Sequence, residues 1–282
     1  MKHPSSARVG HIARALLLCS VALAQVDPET PATPFPPEVI LERGDKVIRA
    51  VKYGPDEAGL VTYCAPLEGD ADRITRFVYY DLAPYQVHVF IDKNIIRAPV
   101  VFVRKKDGGD GELEAYNGVA TAQPEDAEAC LPIIKADPKP ATVFVDQGKT
   151  KLTGSRLDYT EATGIAVIAG PIVFERPQDK GDTLRGASQK ITVDVDNEKT
   201  FLEGTVTLES KCRVSSADKV EYDDKKNLAI LFGNPAVSAS RDGKDTIKGQ
   251  RLEYNLNSND VVVSASEDSV TGQFDDEAPP CR

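Results

Sequence analysis

Apolar residues along this chain come in short, β-branched runs, and turn-forming residues close almost every run. From Glu38 onward, long stretches with a 3.6-residue period are absent. One brief helix is predicted over residues 124–130 and good strands over residues 85–91 and 98–104. The pattern predicts an all-β fold.

The second half repeats. Arg156-Leu157-Asp158-Tyr159, Lys219-Val220-Glu221-Tyr222 and Arg251-Leu252-Glu253-Tyr254 each read basic, apolar, acidic, Tyr. Five residues after each Tyr stands Gly164, Asn227 or Asn259, types that tolerate a left-handed turn. Eleven after it stands Gly170, Gly233 or Ala265, and five before it Gly154, Ala217 or Gly249. A looser copy has Val193 in the Tyr position and Gly204 eleven further on, so the frame advances by 34, 29 and 32 residues. Each unit reads as two strands and a tight turn. In the first strand Leu252, Tyr254 and Leu256 share one face, while Arg251, Glu253 and Asn255 share the other. The second strand, as in 165–168, 228–232 or 261–263, is apolar on both faces, as for strands covered on two sides or lining a cavity. A unit this small cannot bury its own apolar face, so copies must stack. Ile48-Arg49-Ala50-Val51-Lys52-Tyr53 echoes the unit faintly.

The remaining sequence sets the compartment. Lys2, Arg8 and Arg14 precede a short apolar run, and Ala22-Leu23-Ala24 offers a cleavage site, so residues 1–24 read as a secretory signal. A lipid-anchoring reading through Cys19 is weaker, because Leu18 stands where a small residue is expected. The apolar run falls short of the roughly 20 residues that span a bilayer. Residues 25–37 carry five prolines and read as an extended linker. Loss of the leader takes the formal charge from -10 to -13, which argues against nucleic acid as a partner. Cys64, Cys130, Cys212 and Cys281 remain, an even number suited to two disulfides in an oxidising compartment; three pairings stay open.

Catalytic chemistry finds little footing. His88 alternates with valines on a predicted strand and reads as solvent-facing or hydrogen-bonded rather than as a base. No nucleophile elbow, dinucleotide fingerprint or P-loop occurs, so neither a catalytic residue nor a cofactor is assigned. Asp107-Gly108-Gly109-Asp110-Gly111-Glu112 has oxygens for calcium but the spacing of no calcium loop, and reads as a hairpin turn; no metal site is assigned. Asp194, Asp196 and Glu198 suit a solvated strand end and turn. The repeated tyrosines read first as core-filling residues.

The repeated glycine, apolar-x-Tyr, turn, apolar run and glycine over residues 143–270 resemble the OstA-like (LptA-type) family of lipopolysaccharide transport. The resemblance rests on the frames around Tyr159 and Tyr254, and on Ser216 to Val237 between them. It implies a β-jellyroll or taco, two facing antiparallel sheets around an apolar groove that shields acyl chains and joins edge to edge. The expected domains are 38–141, continuing the jellyroll; 142–274, the repeat domain; and 275–282, a tail. Leu157, Tyr159, Val206, Leu208, Val220, Tyr222, Leu252 and Tyr254 are the expected groove lining. Arg156, Lys219 and Arg251 fall on the opposite face. The implied function is non-enzymatic: a periplasmic or envelope protein holding a lipid or lipopolysaccharide-like amphiphile. Its edge strands would pair with other envelope jellyrolls, with outer-membrane proteins or with copies of itself. The alternative is a structural scaffold whose interior is filled by its own side chains.

Overall fold

The computed structural model describes residues 38–43, 46–66, 68–69, 71–91, 94–125, 127–178, 182–197, 199–223, 226–256, 260–263 and 271–273. The leader, the proline-rich linker, Glu198, Asn259, Ala265, the expected 275–282 tail and Cys281 lie outside them. In chain order the strands are β1 (Glu38–Arg43), β2 (Lys46–Lys52), β3 (Gly59–Cys64), β4 (Ile74–Asp81), β5 (Val87–Ile91), β6 (Asn94–Ala98) and β7 (Val100–Lys106). They continue with β8 (Gly111–Tyr116), β9 (Gly118–Thr121), β10 (Ile133–Ala136), β11 (Val143–Gln147), β12 (Thr150–Gly154) and β13 (Arg156–Thr160). Five long strands follow: β14 (Ile165–Pro177), β15 (Thr183–Asp194), β16 (Lys199–Glu209), β17 (Arg213–Asp223) and β18 (Leu228–Ser240). Last come β19 (Thr246–Asn255), β20 (Val261–Val263) and β21 (Thr271–Gln273). The fold is all-β and every pairing is antiparallel. A 3₁₀ turn at Asp56–Ala58 is the one helical element among the described residues.

Two layers emerge from the register. β14 pairs with β13 over residues 165–169 and with β12 over residues 173–175. β13 extends one layer through β8, β7, β4 and β3. β12 extends the other through β11, β6, β5, β2 and β1. The long strands belong to both layers, and each crosses from one to the other at a break in its ladder. Those breaks fall between Ala169 and Ile172, Ala187 and Lys190, Glu203 and Val206, Ser216 and Lys219, and Phe232 and Ala236. They align as one column of β-bulges, a corner that every long strand turns, because a bulge bends its strand and sharpens the local twist.

The repeat acquires its physical meaning here. Gly164, at φ +68°, and Asn227, at φ +53°, make the left-handed turns that close the β13–β14 and β17–β18 hairpins. Gly170 and Gly233 do not end strands, as short closed runs led one to expect. They sit at the bulges, inside strands of 13 residues each. The apolar second strands are also not covered twice. Ala166, Ile168, Ala229 and Leu231 are buried, while Ile165, Val167, Leu228 and Ile230 are half-buried on the outer face. Thr192, Glu221 and Glu253 interleave with that outer apolar stripe in the ladders.

Between residues 38 and 141 the phase of the faint echo is reversed. Ile48 and Ala50 point into the core, and Tyr53 is 54 % exposed and stacks on His88 at 4.6 Å. The described residues within 124–130 form no helix; the Ala127 amide donates to the Pro124 carbonyl, and the chain leads on to Cys130, whose sulfur is bonded to Cys64. That disulfide straps the small β9–β10 ribbon over the outside of one layer. Val78, Tyr80, Val100, Tyr116 and Ala120 form a second, smaller core beneath it. Cys212 is also disulfide-bonded. Residues 107–110 turn the chain between β7 and β8, and Asp194 caps the β15–β16 turn by accepting from Asn197.

Candidate binding groove

The inner faces of the two layers are built from register, one row at a time. One row starts at Val61 in β3 and passes through Tyr79, Val101, Ala115, Leu157, Ile168 and Ile191. It continues through Leu202, Val220, Leu231 and Leu252 to Val263 in β20 without a polar residue. The neighbouring row holds the repeated tyrosines. Tyr159 lies beside Ala166, and Ala229 lies between Tyr222 and Tyr254. A large ring therefore faces a small side chain on the next strand, which explains why the tyrosine recurs once per hairpin and not once per strand. Facing them in the second layer runs a row from Val39 through Ala50, Val89, Ile96, Val145, Leu152 and Phe174 to Gly186 and Leu208. That row passes through the buried hydroxyls of Ser215 and Ser238, which bond each other and, through Ser238, Arg213, and goes on to buried Ile247.

All eight residues expected to line a groove lie on these inner faces. Leu157, Tyr159, Val206, Leu208, Val220, Leu252 and Tyr254 belong to one continuous apolar core, and half-buried Tyr222 packs against it. The inward set is much larger than the repeat frame suggested. Leu152, Phe174, Leu184, Ile191 and Leu202 share it, as do the N-terminal residues Val39, Leu41, Ile48, Val89 and Ile96. Period-2 alternation identifies a buried face but not which strands share it. The N-terminal residues carry no repeat to set their phase.

Where the two layers meet opposite the corner, their tips are joined by polar contacts. The Gln147 amide donates to Thr200 Oγ1 at 3.4 Å, and the Thr150 and Tyr222 hydroxyls lie 3.3 Å apart. Arg176 Nη2 donates to Asn227 Oδ1 at 2.5 Å, and Gln178 Nε2 to the Leu256 carbonyl. The Tyr254 hydroxyl is hydrogen-bonded to the Ser210 side chain; burial raises its pKa, and that bond opposes the rise in part. Each contact bridges one layer to the other, offset by about one hairpin. Sequence reasoning missed this seam, because its members come from six different turns or strand ends.

Behind the seam lies a slot lined by Leu152, Phe174, Leu184, Ile191, Leu202, Leu208, Val220, Ala229 and Leu256, with Gln147, Thr150, Arg176, Thr200 and Tyr222 on its seam side. Closed, it has room for no more than about two waters.

The outside contrasts with this interior. Arg156 bonds Asp158 and Glu114, Lys219 lies over Phe201, and Arg251 pairs with Glu253. His88 is half-buried on the outer face beside Tyr53 and Phe90. Burial lowers its pKa first, and the charge of Arg97 lowers it further. The most buried carboxylate, Asp81, accepts from the Tyr53 and Gly54 amides and faces Lys52 at 4.0 Å, which holds the loop after β2 in place. Among the described residues no group of three His, Cys, Asp or Glu side chains is placed to hold a metal ion.

The molecule is thus a two-layer antiparallel β-jellyroll with a continuous apolar interior, a bulged corner on one side and a polar seam on the other. Residues 141–260 match the family described as the LptA/(LptD N-terminal domain) LPS transport protein. Among solved structures the chain is similar to LptH from Pseudomonas aeruginosa, described as the LptA-homologous periplasmic component of the conserved lipopolysaccharide transport device. The identity is 13 %, over 64 % of this chain and 94 % of that one, with a TM-score of 0.26. No curated protein matches the chain.

Proposed function

We propose that this protein is an exported carrier that shields the hydrocarbon of a lipid or lipopolysaccharide-like amphiphile between its two layers. The observation that carries the reading is the unbroken apolar row from Val61 to Val263, faced by a second apolar row and bounded on one side by the polar seam. Closed, the slot is too small for a hydrocarbon chain, so loading requires the layers to part. Magnitudes favour this. Each neutral seam hydrogen bond is worth about 1 kcal/mol net, since water replaces it when broken. With four such bonds and a stronger one from the Arg176 guanidinium, worth about 1.5–3 kcal/mol, the seam opens for roughly 6 kcal/mol. Burying a twelve-carbon chain returns about 0.8 kcal/mol per methylene, roughly 10 kcal/mol in all. The inner walls stay covered throughout, first by each other and then by the guest.

Assembly belongs to the same reading. Among the described residues β1 pairs only with β2 and β3 only with β4, while β20 and β21 lie beside β19 at the other end. These ends offer unpaired backbone to another β-jellyroll, to an outer-membrane protein or to a second copy of this chain. Proline in Val261–Val263 is expected to abolish end-to-end association and leave binding intact.

Mass spectrometry of lipid extracted from the natively purified protein tests the carrier reading. Amphiphile near one equivalent per chain supports it. An interior that stays empty in the presence of added lipid favours a scaffold filled by its own side chains, the reading to which the narrow closed slot lends weight.

A further inference from the structure

We infer that Asn94 and Val193 frame a subsite for a hydroxyl on the guest's chain, close to its head; this rests on the carrier reading above. The two layers meet in step along the seam. Thr150, Gln147 and Asn94 are cross-strand neighbours in one layer, on β12, β11 and β6. Tyr222, Thr200 and Val193 are cross-strand neighbours in the other, on β17, β16 and β15. Tyr222 meets Thr150 and Thr200 meets Gln147, so the next pair in step is Val193 with Asn94. Val193 is the residue in the tyrosine position of the looser repeat copy. Tyr222 and Tyr254 each carry a hydroxyl across the seam, and Val193 carries only methyl groups.

The Asn94 Oδ1 is buried and accepts no hydrogen bond. A buried acceptor without a donor costs stability that a leucine of similar size would not. Asn94 and Val193 line a second slot, with Ile91, Ile96, Leu157 and Ile168 around them. Among its described lining residues Asn94 and Gln147 are the only polar ones. This slot shares Gln147, Leu152 and Ile191 with the first, so the two are stretches of one interior. Closed, it has room for about one water. A guest chain that parts the layers here shuts solvent away from Asn94 and must itself supply the donor. A hydroxyl does so, and it needs no counter-charge, because the amide is neutral. Asn94 continues the line of polar tips, which places that hydroxyl near the head of the guest.

The test uses the full chain and three probes of one chain length: dodecanoate, 3-hydroxydodecanoate and 3-methoxydodecanoate, in equilibrium binding below their aggregation concentrations. The wild type is expected to prefer the hydroxylated chain to dodecanoate by about tenfold, since a buried acceptor gains its donor. The methoxy chain keeps the oxygen without the donor and should gain nothing over dodecanoate. Asn94→Leu should bring the ratio of the first two affinities close to one. It should not lower the unfolding midpoint, because it removes an acceptor that has no partner. Val193→Tyr supplies a protein hydroxyl as Tyr222 does, and should lower the ratio independently. A preference that survives in Asn94→Leu overturns the assignment, as does a methoxy chain that binds as tightly as the hydroxylated one. A lower midpoint for Asn94→Leu marks a structural bond at that oxygen and overturns it too. Failure of the wild type to bind any of the three overturns the carrier reading itself, whereas binding all three alike overturns only the role of Asn94.

Discussion

The corner is the part of the fold most open to a sharp test, because one glycine there is hemmed in by backbone. A Cβ added at Gly170 would lie 2.3 Å from the Gln189 carbonyl oxygen, 2.8 Å from its carbon and 3.0 Å from its Cα. None of these atoms can rotate away, so Gly170→Ala must push β14 and β15 apart at the bulge. Gly249 is the contrasting case in the same repeat. Its added Cβ would meet Leu252 Cδ2 and Val263 Cγ1, both at 3.3 Å, and side chains can yield by tenths of an ångström. Overpacking against rigid neighbours costs about 1–3 kcal/mol. For a domain of this size each kcal/mol lowers the midpoint by about 2–4 °C, so Gly170→Ala should lose about 2–12 °C. At Gly249 the lower entropy of the unfolded alanine chain, worth about 0.4–1 kcal/mol, offsets the crowding, and the midpoint should move by less than about 4 °C. Thermal unfolding followed by circular dichroism measures both. Equal losses in the two variants, or none at Gly170, would refute the reasoning that the aligned bulges form a close-packed corner.

Two further outcomes follow from features outside the groove. Replacing Cys64 and Cys130 by Ser opens a closure of 66 residues, which should cost up to about 4 kcal/mol. Limited proteolysis should then cut first within residues 117–141, where the ribbon is strapped down. For His88 the fold favours the neutral ring, because burial and Arg97 both oppose the imidazolium. As pH falls below the unfolded value near 6.5, the unfolded chain takes up the proton first, so stability declines until the folded ring also titrates. His88→Gln should flatten the fall in urea midpoint between about pH 7 and the folded pKa.

The hairpins of the second half were legible because three kinds of constraint recur together at fixed distances. Tyr159, Tyr222 and Tyr254 need a small partner across the ladder, Gly164 and Asn227 need a left-handed turn, and Gly170 and Gly233 need room at the corner. What the glycines do was not legible. A small residue reads the same at a strand end as at a bulge, and only the partner strand tells them apart. The phase of β2 is hidden for a similar reason, since Tyr53 imitates the repeat while Ile48 and Ala50 supply the buried face. The seam left no mark on sequence, because Arg176 and Asn227 are 51 residues apart and neither alone departs from ordinary surface composition.

The division expected near residue 141 can be judged by the same physics. β11 finds its second partner in β6, with Phe144 opposite Arg97 and Gln147 opposite Asn94. β13 finds its own in β8, with Arg156 opposite Tyr116 and Thr160 opposite Glu112. Arg97 pairs with Asp146, and Glu161 takes Lys105, each at 2.9 Å across the division, while Arg156 bonds Glu114 at the same distance. Val145, Leu157 and Tyr159 share one core with Val89, Ile96 and Leu113. A fragment beginning at residue 142 would keep the tyrosine repeat but expose one β edge in each layer, together with the apolar row between them. It should associate through those edges on size-exclusion chromatography and unfold below the intact chain. Co-expression with residues 38–141 should restore a one-to-one complex. A monomeric fragment with the full chain's unfolding midpoint would make residues 38–141 an appended module, and the groove would then end at β12 and β13 instead of continuing to β1 and β3.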